Sequence, residues 1–279
     1  MLTEIEELPR VDQMPKDGSK GLVSSLETMT ATDGPGLRLI MFLQGCFLRC
    51  RYCCNPDTQE MSHCESKVYS VEEIKNLLIK GKNFYRSRKG GLTLSGGDPL
   101  VQPEYCAELF KATHSLGMHT TLCTDGFTPV RNWDIVLPHT DLVIQCIKSF
   151  DLEAFKNITG CNHVAFKRCL DFNAEVEKRG IEWWLQWVVI PGVTDTDEEL
   201  KSLMEYINGC EKLTRVELLQ YHTLGLVKYE RMGVEYPGKD FKECSMDDLQ
   251  KTRDYIISNS NGKYEIACDG YDTVSSRCC

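Results

Sequence analysis

The chain has 279 residues, of which 42% are hydrophobic and 26% are charged, and its formal net charge is −9. This composition predicts a globular protein with a large core, and the acidic excess without any Lys/Arg run excludes broad contact with nucleic-acid phosphates. No apolar stretch is long enough to cross a bilayer, and the first residues resemble neither a signal nor a transit peptide, so we expect a cytoplasmic protein with no nucleic-acid or membrane partner.

Apolar strands alternate with amphipathic helices along the chain. Six strands are predicted, over residues 37–44, 90–96, 119–123, 141–148, 182–190 and 215–222. Helices are predicted over residues 70–81, 103–117, 163–180 and 246–260, and another begins at the cap formed by Thr196 and Glu199. Continuous apolar strands with helices between them predict a parallel sheet in an α/β fold, which is either an open doubly wound sheet or a curved, incomplete barrel.

Polar and glycine-rich segments follow the predicted strands. They are the cysteine-rich loop 45–58, "SGGDP" at 95–99, "CTDG" at 123–126, Lys148, "PGVTD" at 191–195 and His222. Because the carboxyl ends of parallel strands meet at the same edge of a sheet, we expect these segments to surround one ligand-binding cleft.

The loop "GCFLRCRYCCNPDT" carries Cys46, Cys50 and Cys53 in a C-x3-C-x2-C pattern, with Cys54 beside the last of them. The odd total of 15 cysteines argues against a disulfide scaffold. A structural zinc site needs a fourth ligand, and no second knuckle follows. A redox pair of Cys50 and Cys53 leaves Cys46 unexplained. A 4Fe–4S cluster held by three thiolates leaves one iron open, which has a purpose only if a small molecule chelates that iron.

This pattern in the loop after the first strand resembles the radical S-adenosylmethionine superfamily. Four segments, in the same order along the chain, closely resemble its family of pyruvate formate-lyase activating enzymes: "TATDGPGLRLIMFLQGC" (30–46), "GGLTLSGGDPLVQPE" (90–104), "WVVIPGVTD" (187–195) and "LLQYHTLG" (218–225). The resemblance implies a partial (β/α)6 TIM-like barrel over residues 29–260, with an N-terminal extension, 1–28, and a C-terminal tail, 261–279.

The resemblance also implies an enzyme with one 4Fe–4S cluster and S-adenosylmethionine as cofactors. In this family the open iron binds the amino and carboxylate groups of S-adenosylmethionine, and one electron from the reduced cluster releases a 5′-deoxyadenosyl radical. That radical takes a hydrogen from the Cα atom of a glycine in pyruvate formate-lyase or a close glycyl-radical relative, with flavodoxin or ferredoxin as the electron donor. The alternatives are a radical enzyme that acts on a different glycyl-radical partner or a small molecule, and a non-enzymatic iron–sulfur or zinc module.

The matched motifs imply roles for individual residues. The expected cluster ligands and catalytic residues are Cys46, Cys50 and Cys53. The residues expected to bind S-adenosylmethionine are Tyr52, Cys53, Cys54, Gly96, Gly97, Asp98, Cys146, Ile147, Lys148 and His222. Within this set, Asp98 is expected to accept a hydrogen bond from the ammonium group, and the two glycines let backbone approach the methionyl group. Asp33 and Arg38 are expected to shape their loop or to meet the peptide substrate.

The chain departs from the family pattern at several positions. Cys54 stands where the family commonly has His, and Asp98 stands where it commonly has Glu. Cys123 and Cys146 stand where the activating enzymes usually have two Asp residues that help to hold a monovalent cation. The loss of both carboxylates suggests that this cation site has been removed as a unit, and a bolder alternative is that Cys54, Cys123 and Cys146 bind an extra metal. The final pair, Cys278 and Cys279, is expected to lie in a flexible tail.

We therefore expect the rate of S-adenosylmethionine cleavage to be independent of alkali cations, because a neutral thiol is a poor ligand for K⁺ or Na⁺. The rate is measured with the reconstituted, reduced protein in KCl, in NaCl and in tetramethylammonium chloride at one ionic strength. A many-fold stimulation by K⁺ or Na⁺ over the tetramethylammonium control would contradict this interpretation.

Overall fold

Nine strands among the described residues, 8–268, form one sheet in the computed structural model. The strands are β1 (Lys20–Thr30), β2 (Arg38–Leu43), β3 (Lys67–Ser70), β4 (Gly91–Gly96), β5 (His119–Thr124), β6 (Leu142–Cys146), β7 (Glu182–Val189), β8 (Leu213–Gln220) and β9 (Glu265–Cys268). The six strands predicted from the sequence correspond to β2 and to β4 through β8, so each predicted strand is confirmed.

Helices connect most of these strands. They are α1 (Val71–Lys80), α2 (Lys82–Tyr85), α3 (Pro103–Ser115), α4 (Val130–Val136), α5 (Leu152–Thr159), α6 (His163–Lys178), α7 (Asp197–Ile207), α8 (Leu226–Met232) and α9 (Met246–Asn259). The predicted caps are confirmed, because the Ser70 hydroxyl accepts from Glu73 N–H at 3.2 Å and the Thr196 hydroxyl accepts from Glu199 N–H at 3.3 Å. None of the helices in this part of the chain is both long and apolar enough to traverse a bilayer.

The strand order distinguishes the two architectures that the sequence left open. Neighbours in the sheet run β3–β1–β2–β4–β5–β6–β7–β8–β9; β1 pairs antiparallel with β2 and β3, and pairing is parallel from β2 onward. A doubly wound sheet reverses its strand order at a switch point, whereas these parallel strands follow one another in chain order, as in a barrel. Because β3 and β9 remain at the two edges, the barrel is incomplete, and the predicted partial TIM-like barrel is confirmed.

Three strands lie outside the predicted set because their apolar signal is weak. The second half of β1 consists of half-buried and exposed positions, and β3 and β9 are four-residue strands at the sheet edges. Short edge strands bury little surface and so need few apolar residues. Since β1 begins at Lys20 and β9 ends at Cys268, the sheet reaches into both segments that flank the predicted range 29–260.

A buried arginine fills the amino-terminal end of the barrel interior. The side chain of Arg38 is fully buried. Its guanidinium donates to Thr93 Oγ1 and, at 2.7–3.3 Å, to the carbonyl oxygens of Pro35, Leu92 and His119. These bonds satisfy the buried charge and connect the starts of β2, β4 and β5. The contact with Pro35 confirms one of the two roles expected for Arg38, that of shaping its own loop.

The pKa of the half-buried His119 is lowered to about 4, first by burial and second by the charge of Arg38. The folded protein therefore resists protonation of this ring, whereas the unfolded chain takes up the proton near the ordinary pKa of 6.5. As the pH falls from about 7 to about 5, we expect the wild type to lose about 1–2 kcal/mol of its free energy of unfolding relative to His119→Gln. Urea unfolding at the two pH values measures this difference.

The exposed His163, at the start of α6, provides the control for that experiment. His163→Gln should retain the wild-type dependence of stability on pH. Equal losses of stability in the wild type and in His119→Gln between the two pH values would contradict this prediction.

Candidate functional site

Strands β4 through β7 and the loop before β2 surround one cavity, called here the first cavity. Its lining is Asp33, Ser95, Gly96, Gly97, Cys123, Thr124, Asp125, Ile144, Cys146, Lys148 and Gln186. The polar segments that follow β4, β5 and β6 therefore meet at one edge of the sheet, as the sequence predicts.

A second cavity lies between the cysteine loop and the end of β8. Its lining is Tyr52, Cys54, Val188, Leu219, Gln220, Tyr221 and His222. Three of the predicted cofactor-binding residues, Tyr52, Cys54 and His222, are thus brought together. The two cavities are neighbours, since Lys148 Nζ of the first cavity lies 5.8 Å from the ring centre of Tyr52.

Several predicted parts of the site, Asp98 among them, line neither cavity. Ile147 is 2% exposed, packs in the hydrophobic core and lines neither cavity. Alternate residues of an extended segment point in opposite directions, so Ile147 faces away when Cys146 and Lys148 face the first cavity. Residues 191–195 contribute to a third cavity, beside α5 and α7.

Backbone hydrogen bonds hold the cysteine loop in place. Arg51 N–H donates to the carbonyl oxygen of Ile158 in α5 at 2.8 Å. Cys53 N–H donates to the carbonyl oxygen of Cys50 at 3.1 Å, which closes a tight turn between the last two thiols of the pattern. Hydrogen bonds to α5 and within the loop therefore set the loop conformation.

An apolar shell surrounds the three thiols of the C-x3-C-x2-C pattern. Cys46 and Cys50 are 8% and 9% exposed, respectively. The side chains that pack around them and around Cys53 are Leu48, Phe127, Phe155, Cys161, Ala165, Phe166 and Cys169. Burial raises the pKa of all three thiols, and at Cys50 the charge of Lys148 acts in the opposite direction.

This environment separates the alternatives for the cysteine pattern. A redox dithiol has a lowered thiol pKa, whereas burial raises the pKa of Cys50 and Cys53. Within residues 8–268, no group of three or more His, Cys, Asp or Glu side chains is arranged to hold a single metal ion. An iron–sulfur cluster fits better, because each of its thiolate ligands binds a different iron and an apolar shell limits solvent access.

The cysteines that depart from the family pattern are divided between the two cavities. Cys54 lines the second cavity, while Cys123 and Cys146 line the first. The alternative of an extra metal requires all three side chains at one point, and this arrangement gives it no support. Cys278 and Cys279 lie outside the described residues.

Gly96 and Gly97 bring the end of β4 against the cysteine loop. Gly96 has a φ of 111°, a conformation that favours glycine. A Cβ atom at Gly97 would lie 2.3 Å from the carbonyl oxygen of Gly45, and the neighbouring Asp98 N–H donates to that same oxygen at 2.8 Å. The close approach of two backbone segments therefore requires glycine at position 97.

Two carboxyl groups lie beside each other near this turn. Asp98 is 1% exposed, and its carboxyl group accepts hydrogen bonds from the Thr124 hydroxyl. Burial raises the pKa of Asp98, and the negative charge of Asp125 raises it further. Asp125 is 8% exposed, and its Oδ2 lies 3.8 Å from Cys46 Sγ. The sequence did not identify Asp125 as a site residue. The one feature that could have done so is its position directly after a buried strand, β5.

Comparisons with known proteins agree with this geometry. The profile described as "Radical SAM superfamily" matches residues 40–207. The chain is 37% identical over 236 residues to the pyruvate formate-lyase-activating enzyme of Clostridium pasteurianum, which covers 85% of this chain and 97% of the relative. The chain belongs to this family of radical SAM enzymes. The corresponding enzyme of Staphylococcus epidermidis is 34% identical over 253 residues, or 88% of this chain and 98% of the relative.

A domain of pyruvate-formate lyase-activating enzyme from Bacteroides vulgatus is one of the solved structures that resemble this chain. The TM-score is 0.52 at 18% identity, over 64% of this chain and 99% of that chain, so the match supports the fold alone. Membership of the radical SAM superfamily implies a 4Fe–4S cluster and S-adenosylmethionine. The three thiols in their apolar shell fit such a cluster.

We expect Gly97→Ala to lower the free energy of unfolding by about 1–3 kcal/mol, because the added Cβ would overlap the carbonyl oxygen of Gly45. Urea unfolding of the metal-free protein measures the change. Gly209→Ala is the matched control: its Cβ would lie 3.3 Å from the nearest atom, and we expect a change of less than about 1 kcal/mol. Equal losses in the two variants would show that close approach is not the reason for Gly97.

Proposed function

We propose that this chain activates pyruvate formate-lyase by forming a glycyl radical in that enzyme through reductive cleavage of S-adenosylmethionine. The proposal depends above all on one observation. The three-thiol loop is hydrogen-bonded to the glycine turn after β4, in a chain that is 37% identical to a pyruvate formate-lyase-activating enzyme. When bound, a reduced 4Fe–4S cluster with S-adenosylmethionine supplies the electron and the 5′-deoxyadenosyl radical that removes the glycine Cα hydrogen.

Cys46, Cys50 and Cys53 are the proposed cluster ligands. Their thiols lose protons when they bind metal, and burial raises the pKa of each, so the metal charge must compensate the cost of a buried thiolate. The phenylalanines of the apolar shell keep water away from the same position. With three thiols as ligands, one iron is left for a small chelating molecule.

The two neighbouring cavities suit the two halves of S-adenosylmethionine. The backbone of Gly96 and Gly97 and the side chain of Lys148 line the first cavity, where a charged amino-acid group would find polar partners. The second cavity combines Tyr52 with aliphatic side chains and His222, a lining that suits the flat nucleoside. Cys54 adds a small side chain to the same wall.

The proposed protein substrate is pyruvate formate-lyase or a close glycyl-radical enzyme, and the relatives' names support the first of these. A radical must form in a closed space with its target already positioned, and the two cavities at the barrel edge are the proposed place for it. Flavodoxin or ferredoxin is the proposed electron donor, on the basis of the resemblance alone. The second candidate is a related radical enzyme that acts on a different glycyl-radical partner or on a small molecule.

The decisive experiment is anaerobic. The reconstituted, reduced protein is mixed with S-adenosylmethionine and pyruvate formate-lyase, and we expect 5′-deoxyadenosine together with a glycyl-radical doublet in electron paramagnetic resonance. Cys46→Ala, Cys50→Ala and Cys53→Ala should each abolish both signals, because each removes a cluster ligand.

Cysteine variants outside the C-x3-C-x2-C pattern give the control. Cys64→Ala, which alters an exposed thiol, and Cys278→Ala should retain both signals. Cleavage of S-adenosylmethionine without the doublet would favour the second candidate. A colourless, oxygen-protected protein that holds only zinc would contradict both.

A further inference from the structure

Asp98, which the family pattern assigns to the amino group of S-adenosylmethionine, already accepts hydrogen bonds from other groups of the protein. Both carboxyl oxygens of Asp98 accept from the Thr124 hydroxyl, at 2.9 and 2.7 Å, and Oδ1 also accepts from Leu100 N–H at 2.9 Å. Oδ2 accepts a further bond from Asp125 N–H at 3.2 Å. The side chain is 1% exposed and is not part of the lining of the first cavity. Asp98 therefore joins the turn after β4 to the end of β5.

Asp125, unlike Asp98, is one of the residues that line the first cavity. One oxygen, Oδ1, accepts from Phe127 N–H at 2.8 Å, which fixes the orientation of the side chain. The other oxygen, Oδ2, points toward Cys46, with 3.8 Å between Oδ2 and Sγ. The side chain is more than nine-tenths buried, so few water molecules reach it. A buried carboxylate needs hydrogen-bond donors of its own.

Cluster binding changes what Asp125 faces. A cysteine sulfur bound to iron carries no proton, so the thiol of Cys46 is no longer a donor for Oδ2. The carboxylate oxygen Oδ2 then lies beside an anionic sulfur and needs another hydrogen-bond donor. The charged side chains that line the first cavity are Asp33, Asp125 and Lys148. Lys148 Nζ lies 5.8 Å from the ring centre of Tyr52, on the side of the second cavity.

We infer that Asp125, rather than Asp98, accepts a hydrogen bond from an N–H of the amino group of S-adenosylmethionine, and that Asp98 is a positioning residue for Asp125. The cofactor's amine must lie next to the cluster, and Asp125 is the carboxylate in contact with a cluster-ligand side chain. The shorter Asp98, which stands in place of the family's Glu, is consistent with this exchange of roles. This inference rests on the proposed function in one respect, because both require that the protein binds S-adenosylmethionine.

The test measures binding and requires no turnover. Dissociation constants of S-adenosylmethionine and of its desamino analogue are measured by equilibrium dialysis with oxidised, reconstituted protein. Asp125→Asn should raise the dissociation constant of S-adenosylmethionine about tenfold to a hundredfold, the effect of losing one charge-assisted hydrogen bond. The same variant should change binding of the desamino analogue less than about threefold, because that ligand has no amino group to donate to Asp125.

Asp98→Asn is the matched variant. It should weaken S-adenosylmethionine binding less than Asp125→Asn does, and it should lower the free energy of unfolding of the metal-free protein, since Asp98 joins two strand ends. Iron and sulfide contents are compared first, so that a lost cluster is not mistaken for lost affinity. If Asp98→Asn does not fold, the comparison of the two ligands in Asp125→Asn still decides.

Two results would overturn the inference. One is an Asp98→Asn variant that loses more affinity for S-adenosylmethionine than Asp125→Asn while both bind the desamino analogue normally. The other is an Asp125→Asn variant that binds both ligands equally weakly or binds both like the wild type. A wild type that binds S-adenosylmethionine yet forms no radical in pyruvate formate-lyase contradicts the proposed function alone.

Discussion

The contact between the turn after β4 and the start of the cysteine loop sets the geometry on which the candidate site depends. The carbonyl oxygen of Gly45 accepts a hydrogen bond from Asp98 N–H at 2.8 Å, and the missing side chain of Gly97 makes room for it. This one approach places the three thiols, the first cavity and the carboxyl pair within reach of each other. A side chain at position 97 would separate the loop from the cavity that it serves.

The site concentrates groups that cost free energy to bury. Three thiols lie in an apolar shell, and burial raises the pKa of each, while two carboxyl groups lie side by side at the cavity edge. Hydrogen bonds from Thr124 and from backbone N–H groups compensate part of the cost at Asp98. The metal-free protein therefore carries a destabilised region that cofactor binding stabilises, and the loaded protein should be the more stable form.

The sequence predicts the parts of this molecule that local patterns encode. Long apolar runs identify the six central strands, and covalent spacing identifies Cys46, Cys50 and Cys53. The edge strands β1, β3 and β9 carry too little apolar surface to be recognised. The proposed choice between Asp98 and Asp125 is also beyond a local pattern, because both side chains are buried and only one of the two residues lines the first cavity. Only the tertiary structure shows that Asp98 is enclosed and that Asp125 reaches the cavity.

Arg38 closes the amino-terminal end of the barrel interior. Its guanidinium bonds to the backbone at the starts of β4 and β5, so that end is filled by protein rather than by solvent. The proposed 5′-deoxyadenosyl radical, formed at the opposite rim, would be shielded from water on this side.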